Sequence, residues 1–296
     1  RCSRDWSSDV CSSDLAIGSL PAAMLSPEAL AAALAELAAD GRPFNVNFFC
    51  HRPPADEPAR VAAWHRRLAP YCAEAGLPAP SAAPQATRHP FDERLAAVLE
   101  QAPPAIVSFH FGLPEAALLA RVRALGCRVW SSATTLDEAR WLLARGVDAL
   151  VLQGLEAGGH RGHFLRDDLD LDGQAGWREL LAAVRPIAGH TPLLVAGGIA
   201  TADDVAEALA RGADAVQVGS AFLRCPEADT SALHRAALAA GGQTALTNLM
   251  SGRPARGLLN RLMREAGPLC PDAPAFPLAT ADLAPLRACE IGRAHV

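Results

Sequence analysis

The sequence contains no lysine; all 27 basic side chains are arginine. Schiff-base aldolases, pyridoxal-phosphate enzymes and the P-loop are thereby excluded, because each is built on a lysine amine. The eight cysteines, at positions 2, 11, 50, 72, 127, 225, 270 and 289, contain no C-x-x-C pair and no zinc-type spacing. Scattered through so long a chain, they read as reduced thiols of a cytoplasmic protein. No apolar run approaches the roughly 20 residues that a membrane-spanning helix needs. A formal net charge of −5 with no basic stripe argues against a nucleic-acid partner. What remains is a chain of 296 residues, half of them apolar, with material for one large barrel or two smaller domains.

The two ends differ from the rest. Residues 1–15 are rich in Ser and Asp and lack the apolar core of a signal peptide, so they are expected to be a non-native leader. Residues 290–296 are expected to be a non-native tail. Between them, short β-branched apolar runs alternate with amphipathic Ala/Leu/Arg/Glu segments, the pattern of repeated β-α units. Strands are expected near 17–20, 44–49, 105–109, 128–132, 149–153, 193–196 and 215–218. Helices are expected near 27–39, 57–75, 91–101, 114–125, 136–145, 176–187, 202–211 and 231–239. Ser26, Thr135 and Thr201 stand at helix N-caps, and Gly126, Gly146 and Gly212 close helices. The fold class is therefore α/β, a (β/α)8 TIM barrel over residues 16–289 with a helical insertion or lid at 50–104. Seven strands are legible, so the barrel is expected to lack its native first strand, whose place residues 1–15 now occupy.

Three segments carry chemistry. Gln153-Gly154-Leu155-Glu156-Ala157-Gly158-Gly159-His160-Arg161-Gly162 follows a strand directly. In a barrel such a loop lies at the carboxyl mouth, where active sites form, and its glycines allow close backbone approach to a ligand. An imidazole there can remove a proton near neutral pH, since its ordinary pKa is about 6.5. The plainer reading is a turn with an incidental histidine. A metal site of Glu156, His160 and His163 is disfavoured, because Gly158, Gly159 and Gly162 do not suit a ligand-bearing helix. The other two segments are Val195 to Thr201, with a Gly197-Gly198 turn, and Gln217-Val218-Gly219-Ser220. Paired glycine turns at successive late strands suit a barrel phosphate site, although tight turns without a ligand look the same.

These segments, with Asn45-Val46-Asn47-Phe48, Ser108-Phe109-His110-Phe111-Gly112 and Ser251-Gly252-Arg253-Pro254-Ala255-Arg256-Gly257, resemble the nitronate monooxygenases (formerly 2-nitropropane dioxygenases) and their flavin-dependent enoyl-reductase relatives. The resemblance implies FMN at the barrel mouth, with His160 as catalytic base. It implies that Asn47 and Gln153 contact the flavin or its ribityl chain, and that Gly158, Gly198, Gln217, Gly219 and Ser220 hold ring edge and phosphate. Ser220 stands where the family usually has Thr. His110 would line the substrate pocket or serve the core. Arg253 and Arg256 would anchor the C-terminal segment or a subunit contact. The family's Pro-Met-Ala-Gly-like turn on its first strand has no counterpart here.

The implied activity is oxidation of alkyl nitronates, and of nitroalkanes after proton removal, with O2 to carbonyl compounds and nitrite. Two other readings stay open. One is an NAD(P)H-dependent flavin reductase acting on a quinone or enoyl thioester. The other is a non-redox phosphate-binding barrel or an inactive truncated homologue. The expected partners are a small-molecule substrate and O2, with no membrane; the sequence gives no oligomeric state.

Overall fold

The computed structural model describes residues 16–81, 86–166, 169 and 171–287; the expected leader and tail lie outside them. The chain opens with β1 (Gly18–Pro21), α1 (Pro27–Ala39) and β2 (Phe44–Phe49), followed by α2 (Pro58–Glu74) and α3 (Glu93–Gln101). Strict alternation follows: β3 (Ile106–His110), α4 (Ala116–Ala124), β4 (Arg128–Ala133), α5 (Leu136–Leu143) and β5 (Ala149–Gln153). Beyond the two-residue β6 (Gly159–His160) come α6 (Trp177–Val184), β7 (Leu193–Ala196), α7 (Ala202–Ala210), β8 (Ala215–Gln217) and α8 (Ala232–Ala240). The chain ends in β9 (Thr244–Thr247), β10 (Ala255–Leu258), α9 (Arg261–Ala266) and α10 (Ala279–Arg287).

Seven strands form one curled parallel sheet in the order β1-β2-β3-β4-β5-β7-β8. This is the expected (β/α) architecture with the expected seven strands. Among the described residues β1 and β8 each have a neighbour on one side only. The edge shows in the burial: every residue of β5 and β7 is buried, whereas none of β8 is.

The helices begin and end where the caps predicted. The Ser26 and Thr135 hydroxyls accept from Ala29 N and Glu138 N, each at 3.2 Å. Thr201 and Asp204 form a reciprocal capping box on α7. Gly126, Gly146 and Gly212 take the left-handed φ values of helix ends, +80°, +66° and +96°.

Alternation along the strands sorts the side chains into two layers. Val46, Phe48, Val107, Phe109, Leu150, Leu152, Leu193 and Val195 face the helices in the main core. Ala149, Val151, Leu194 and Ala196, with Trp130 and Ala215, fill the concave side. A separate apolar cluster joins Trp64, Leu68 and Cys72 of α2 to Leu249, Met250, Leu262, Met263, Leu283 and Leu286. The long excursion after β2 is thus divided: α3 joins the helical layer through Leu95, Ala96, Val98 and Leu99, while α2 packs on the C-terminal segment.

Sequence reading missed the second sheet, the antiparallel β6-β10-β9. Its strands are two to four residues long and leave no periodic signal. It pairs Ala255 with His160 and Arg256 with Gly159. The segments around residues 160 and 255 therefore form one unit.

Trp64 is fully buried where α2 meets the C-terminal segment. Truncation to alanine there should cost about 3–5 kcal/mol, as for other buried aromatics. Denaturant unfolding of Trp64→Ala measures it; an unchanged midpoint would show that α2 adds nothing to the stability of the fold.

Candidate active site

Strand register brings the carboxyl ends level. Phe49 pairs with His110, Gln153 with Ala196, and Ala196 with Gln217. The loops after β2, β3, β5, β7 and β8 therefore open on one end of the sheet, where barrel sites form. On β1, β2 and β3 the concave face is polar: Asn45 Nδ2 bonds Ser19 Oγ at 2.7 Å and Ser108 Oγ at 2.8 Å. Asn47 Nδ2 also reaches Ser108 Oγ at 2.8 Å.

The loop after β5 is held by its own side chains. Arg161 is fully buried and points back at the strand end. Its Nη1 donates to the carbonyls of Gln153 at 2.8 Å and Gly154 at 2.6 Å, and its Nε to Gln174 Oε1 at 2.7 Å. Burial lowers its pKa to about 10, so it stays charged at neutral pH. Gln153 completes the brace: its Oε1 accepts from Gly162 N and its Nε2 donates to the His160 carbonyl, both at 2.8 Å. Expected at the flavin, Gln153 has both ends of its amide engaged by the loop.

His160 sits on β6 under three constraints. Its carbonyl accepts from Gln153 Nε2 at 2.8 Å and from His110 Nε2 at 3.3 Å. Its ring Nε2 lies 2.8 Å from Ser251 Oγ. Phe49, Phe111 and Phe276 surround the ring edge-on, with centroids 6.0, 6.1 and 5.2 Å away. Phe111 has φ +68°, the one non-glycine residue in the left-handed region among those described. Backbone strain of this kind persists where surrounding contacts over-determine it. Here the Arg253 guanidinium lies 4.4 Å from the Phe111 ring centroid.

His110 and His160 differ in kind. A carbonyl can only accept, so His110 donates from Nε2 to His160 O, and its Nδ1 accepts a hydrogen bond from Ser132 Oγ at 2.6 Å. With both nitrogens engaged in the fold, His110 is a strut. Burial, foremost, pushes its pKa down to about 3. His51, packed against Phe276 at 4.8 Å, is pushed down to about 4 by burial and then by Arg253.

The glycine turns after β7 and β8 are adjacent. Gly197 and Gly198 have φ +125° and +69°. A Cβ on Gly197 would lie 2.9 Å from Ala157 N, so this turn packs against the His160 loop through bare backbone. Gly158, Gly198, Gln217, Gly219 and Ser220 are exposed. Nothing lies within 4 Å of a Cβ built on Gly219. Glu156, weighed as a metal ligand, instead accepts from Trp177 N at 3.1 Å at the start of α6. Among the described residues no group of three or more His, Cys, Asp or Glu is placed to hold a metal ion.

The nitronate monooxygenase family model matches residues 8–291, beginning inside the expected leader and ending inside the expected tail. The chain belongs to the nitronate monooxygenase family. A nitronate monooxygenase of Pseudomonas aeruginosa is 44% identical over 241 residues, covering 80% of this chain and 68% of its own length. One of Paraburkholderia phytofirmans is 40% identical over 243 residues, covering 80% of this chain and 65% of its own. The crystal structure of nitroalkane oxidase from Streptomyces ansochromogenes matches with a TM-score of 0.79 at 37% identity, over 92% of this chain and 77% of that one. FabK from Thermotoga maritima, at 23% identity and a TM-score of 0.60 over 84% of this chain and 65% of its own, shares the fold. Among the described residues no helix is long and apolar enough to cross a membrane.

Ser251, Arg161, Phe49 and Phe276 are the site residues that sequence reading left without a role. Ser251 and Arg161 lay inside quoted motifs. Phe49 was legible as an inward position of β2, two residues beyond Asn47. Nothing local marks Phe276. Arg253 donates to the His163 carbonyl, and Arg256 to the Leu155 carbonyl at 2.7 Å, so both tie the C-terminal segment to the His160 loop.

The depressed histidines set a pH dependence. In the unfolded chain both imidazoles bind protons at their ordinary value of 6.5, against about 3 for His110 and about 4 for His51 in the fold. Unfolding therefore takes up protons below pH 6.5, and the stability present above that pH is lost as pH falls towards 3. His110→Gln should flatten the slope of unfolding free energy between pH 6 and 4.5 by about 1.4 kcal/mol per pH unit. Parallel urea titrations of both proteins measure it; equal slopes would mean that this imidazole titrates alike folded and unfolded.

Proposed function

We propose that this chain is an FMN-dependent oxidoreductase that oxidises alkyl nitronates, and nitroalkanes once His160 has taken their proton. The observation that carries the reading is a histidine pinned at the carboxyl mouth of a barrel inside an aromatic enclosure, in a chain of this family. A cytoplasmic location belongs to the same reading and rests on the cysteine spacing alone. The partners are a small-molecule substrate and O2.

The residues fit FMN. Exposed glycine turns at two neighbouring strand ends, Gly198 after β7 and Gly219-Ser220 after β8, suit a phosphate, which needs bare backbone N–H groups and a hydroxyl. Asn47 and Gln217 would meet the ribityl chain and ring from the sheet, and Gly158 the ring edge from the loop. Gln153 would act through the loop that it braces. The chemistry FMN supplies when bound is oxidation of the electron-rich nitronate, which ends with O2 in a carbonyl compound and nitrite.

The protein's share is proton removal and enclosure. The carbon beside a nitro group is acidic, and the neutral His160 ring takes its proton while the electron pair moves onto the nitro group. Phe49, Phe111 and Phe276 give the alkyl part an apolar wall and keep water from the ring. His110 holds the backbone of the base in place and leaves the proton transfer to His160.

Two experiments test this. Gly219→Val adds a side chain where the protein itself has room, so its fold should be intact while phosphate approach is blocked. Gly198→Val is less clean, because φ is +69° and its Cβ would press on Glu156 Cβ at 3.3 Å. FMN affinity should fall at least tenfold in Gly219→Val; an unchanged Kd would move the phosphate elsewhere. His160→Asn, loaded with FMN, should lose roughly 10²- to 10⁴-fold in nitroalkane turnover, the usual worth of a general base. Oxygen uptake with preformed nitronate should fall far less. Equal losses would remove His160 from the role of base. Pyridine-nucleotide oxidation in place of nitronate-dependent oxygen uptake would overturn the activity itself.

A further inference from the structure

Ser251 is buried, 2% exposed, and its hydroxyl has two neighbours. One is His160 Nε2 at 2.8 Å and the other is the Arg253 carbonyl at 3.3 Å. A serine hydroxyl carries one proton, and a carbonyl can only accept. When Ser251 donates to the Arg253 carbonyl, a lone pair of its oxygen faces the imidazole. In the neutral ring, Nε2 must then be the protonated nitrogen.

We propose that Ser251 is a positioning residue that holds neutral His160 in the Nε2–H tautomer and so makes Nδ1 the nitrogen that takes the substrate proton. The proposal rests on the reading of His160 as base. In the step, the C–H bond beside the nitro group breaks, its proton passes to Nδ1, and the electron pair delocalises onto the nitro oxygens. The imidazolium so formed keeps its Nε2–H bond to Ser251, which strengthens as the ring gains charge.

Ser251 is placed independently of His160. Gly252 has φ +93°, and a Cβ on it would lie 2.1 Å from Pro274 O and 2.5 Å from Phe276 N. Only bare backbone fits there, so the turn is seated directly on the segment that carries Phe276. Gly252 N also bonds the Asn248 carbonyl at 2.7 Å. On the far side, Gln153 and His110 fix the backbone of His160. Ring and hydroxyl thus meet as two separately held parts. A tautomer set by such a contact is how second partners of histidines usually act.

The first test needs no substitution. Long-range proton–nitrogen NMR spectra of the FMN-loaded enzyme, with nitrogen-15 in its histidines, distinguish the two neutral tautomers; His160→Asn identifies the resonances. The Nε2–H pattern is expected for His160, and the Nδ1–H pattern would overturn the proposal. The second is a double-mutant cycle on nitroalkane turnover. Ser251→Ala should lower kcat about tenfold with KM little changed, and Ser251→Thr, which keeps the hydroxyl, should recover most of it. In the His160→Asn background, Ser251→Ala should have no further effect. Additive losses would show that Ser251 acts elsewhere and overturn the proposal. If His160→Asn alone fails to discriminate nitroalkane from nitronate, the base assignment fails, whereas the NMR result still reports the tautomer.

Discussion

Two buried charges of opposite sign fix the loop on which the rest of the site depends. Taking a guanidinium out of water costs several kcal/mol unless its N–H groups find acceptors. For Arg161 those acceptors are the carbonyls of Gln153 and Gly154 and the side chain of Gln174, so the backbone must curl around the cation. At the other end of the segment, the buried Glu138 carboxylate accepts from Phe164 N at 2.6 Å and from Thr134 N and Oγ1, both at 2.8 Å. Neither charge is part of the proposed proton transfer. A well-packed apolar pair could stabilise the chain as much. What the charges add is direction: a glycine-rich loop with many accessible conformations is restricted to those that bring acceptors to Arg161 Nε and Nη1 and donors to Glu138.

The sheet beneath supplies a second constraint. Because successive side chains alternate between faces, a strand built to pack helices on one side delivers every other residue to the barrel mouth. β2 shows the division plainly, with Val46 and Phe48 in the outer core while Asn45, Asn47 and Phe49 point inward. The inner amides and hydroxyls are joined by hydrogen bonds from Ser19 through Asn45 and Ser108 to Asn47, which makes a polar floor tolerable at the centre of a barrel. A one-residue slip of β2 would send Val46 and Phe48 inward and Asn45 and Asn47 against the helices.

How far this could be read from the sequence follows from the range of each interaction. Caps, turns and apolar runs act over a few residues, so the seven parallel strands, the caps at Ser26, Thr135 and Thr201, and the closing glycines were all legible. Strand ends shifted by a residue or so, as with Ile106–His110 for the expected 105–109. The His160 loop was legible as a glycine-rich turn after a strand. Its internal bracing was not, because a buried arginine has the same one-letter signature as an exposed one. The antiparallel ribbon stayed invisible for a different reason: its strands are too short for periodicity, and its β6–β10 pairing joins residues about a hundred positions apart.

That separation matters for how the site is assembled. His160 meets Ser251 across 91 positions, Arg253 reaches His163 across 90, and Arg256 reaches Leu155 across 101. Closing such long loops costs entropy that short β-α contacts do not incur. The strands and their helices are therefore held mainly by near neighbours, while the His160 ring is contacted by distant ones. Local opening follows the weaker set first. A fluctuation that lifts residues 251–258 removes Ser251 from the ring and β10 from β6, yet leaves Gln153 and His110 bonded to the His160 backbone. The imidazole then keeps its place but loses its contact with the Ser251 hydroxyl. In this arrangement the position of His160 is a property of the barrel, and the hydrogen bond of its ring is a property of the C-terminal segment.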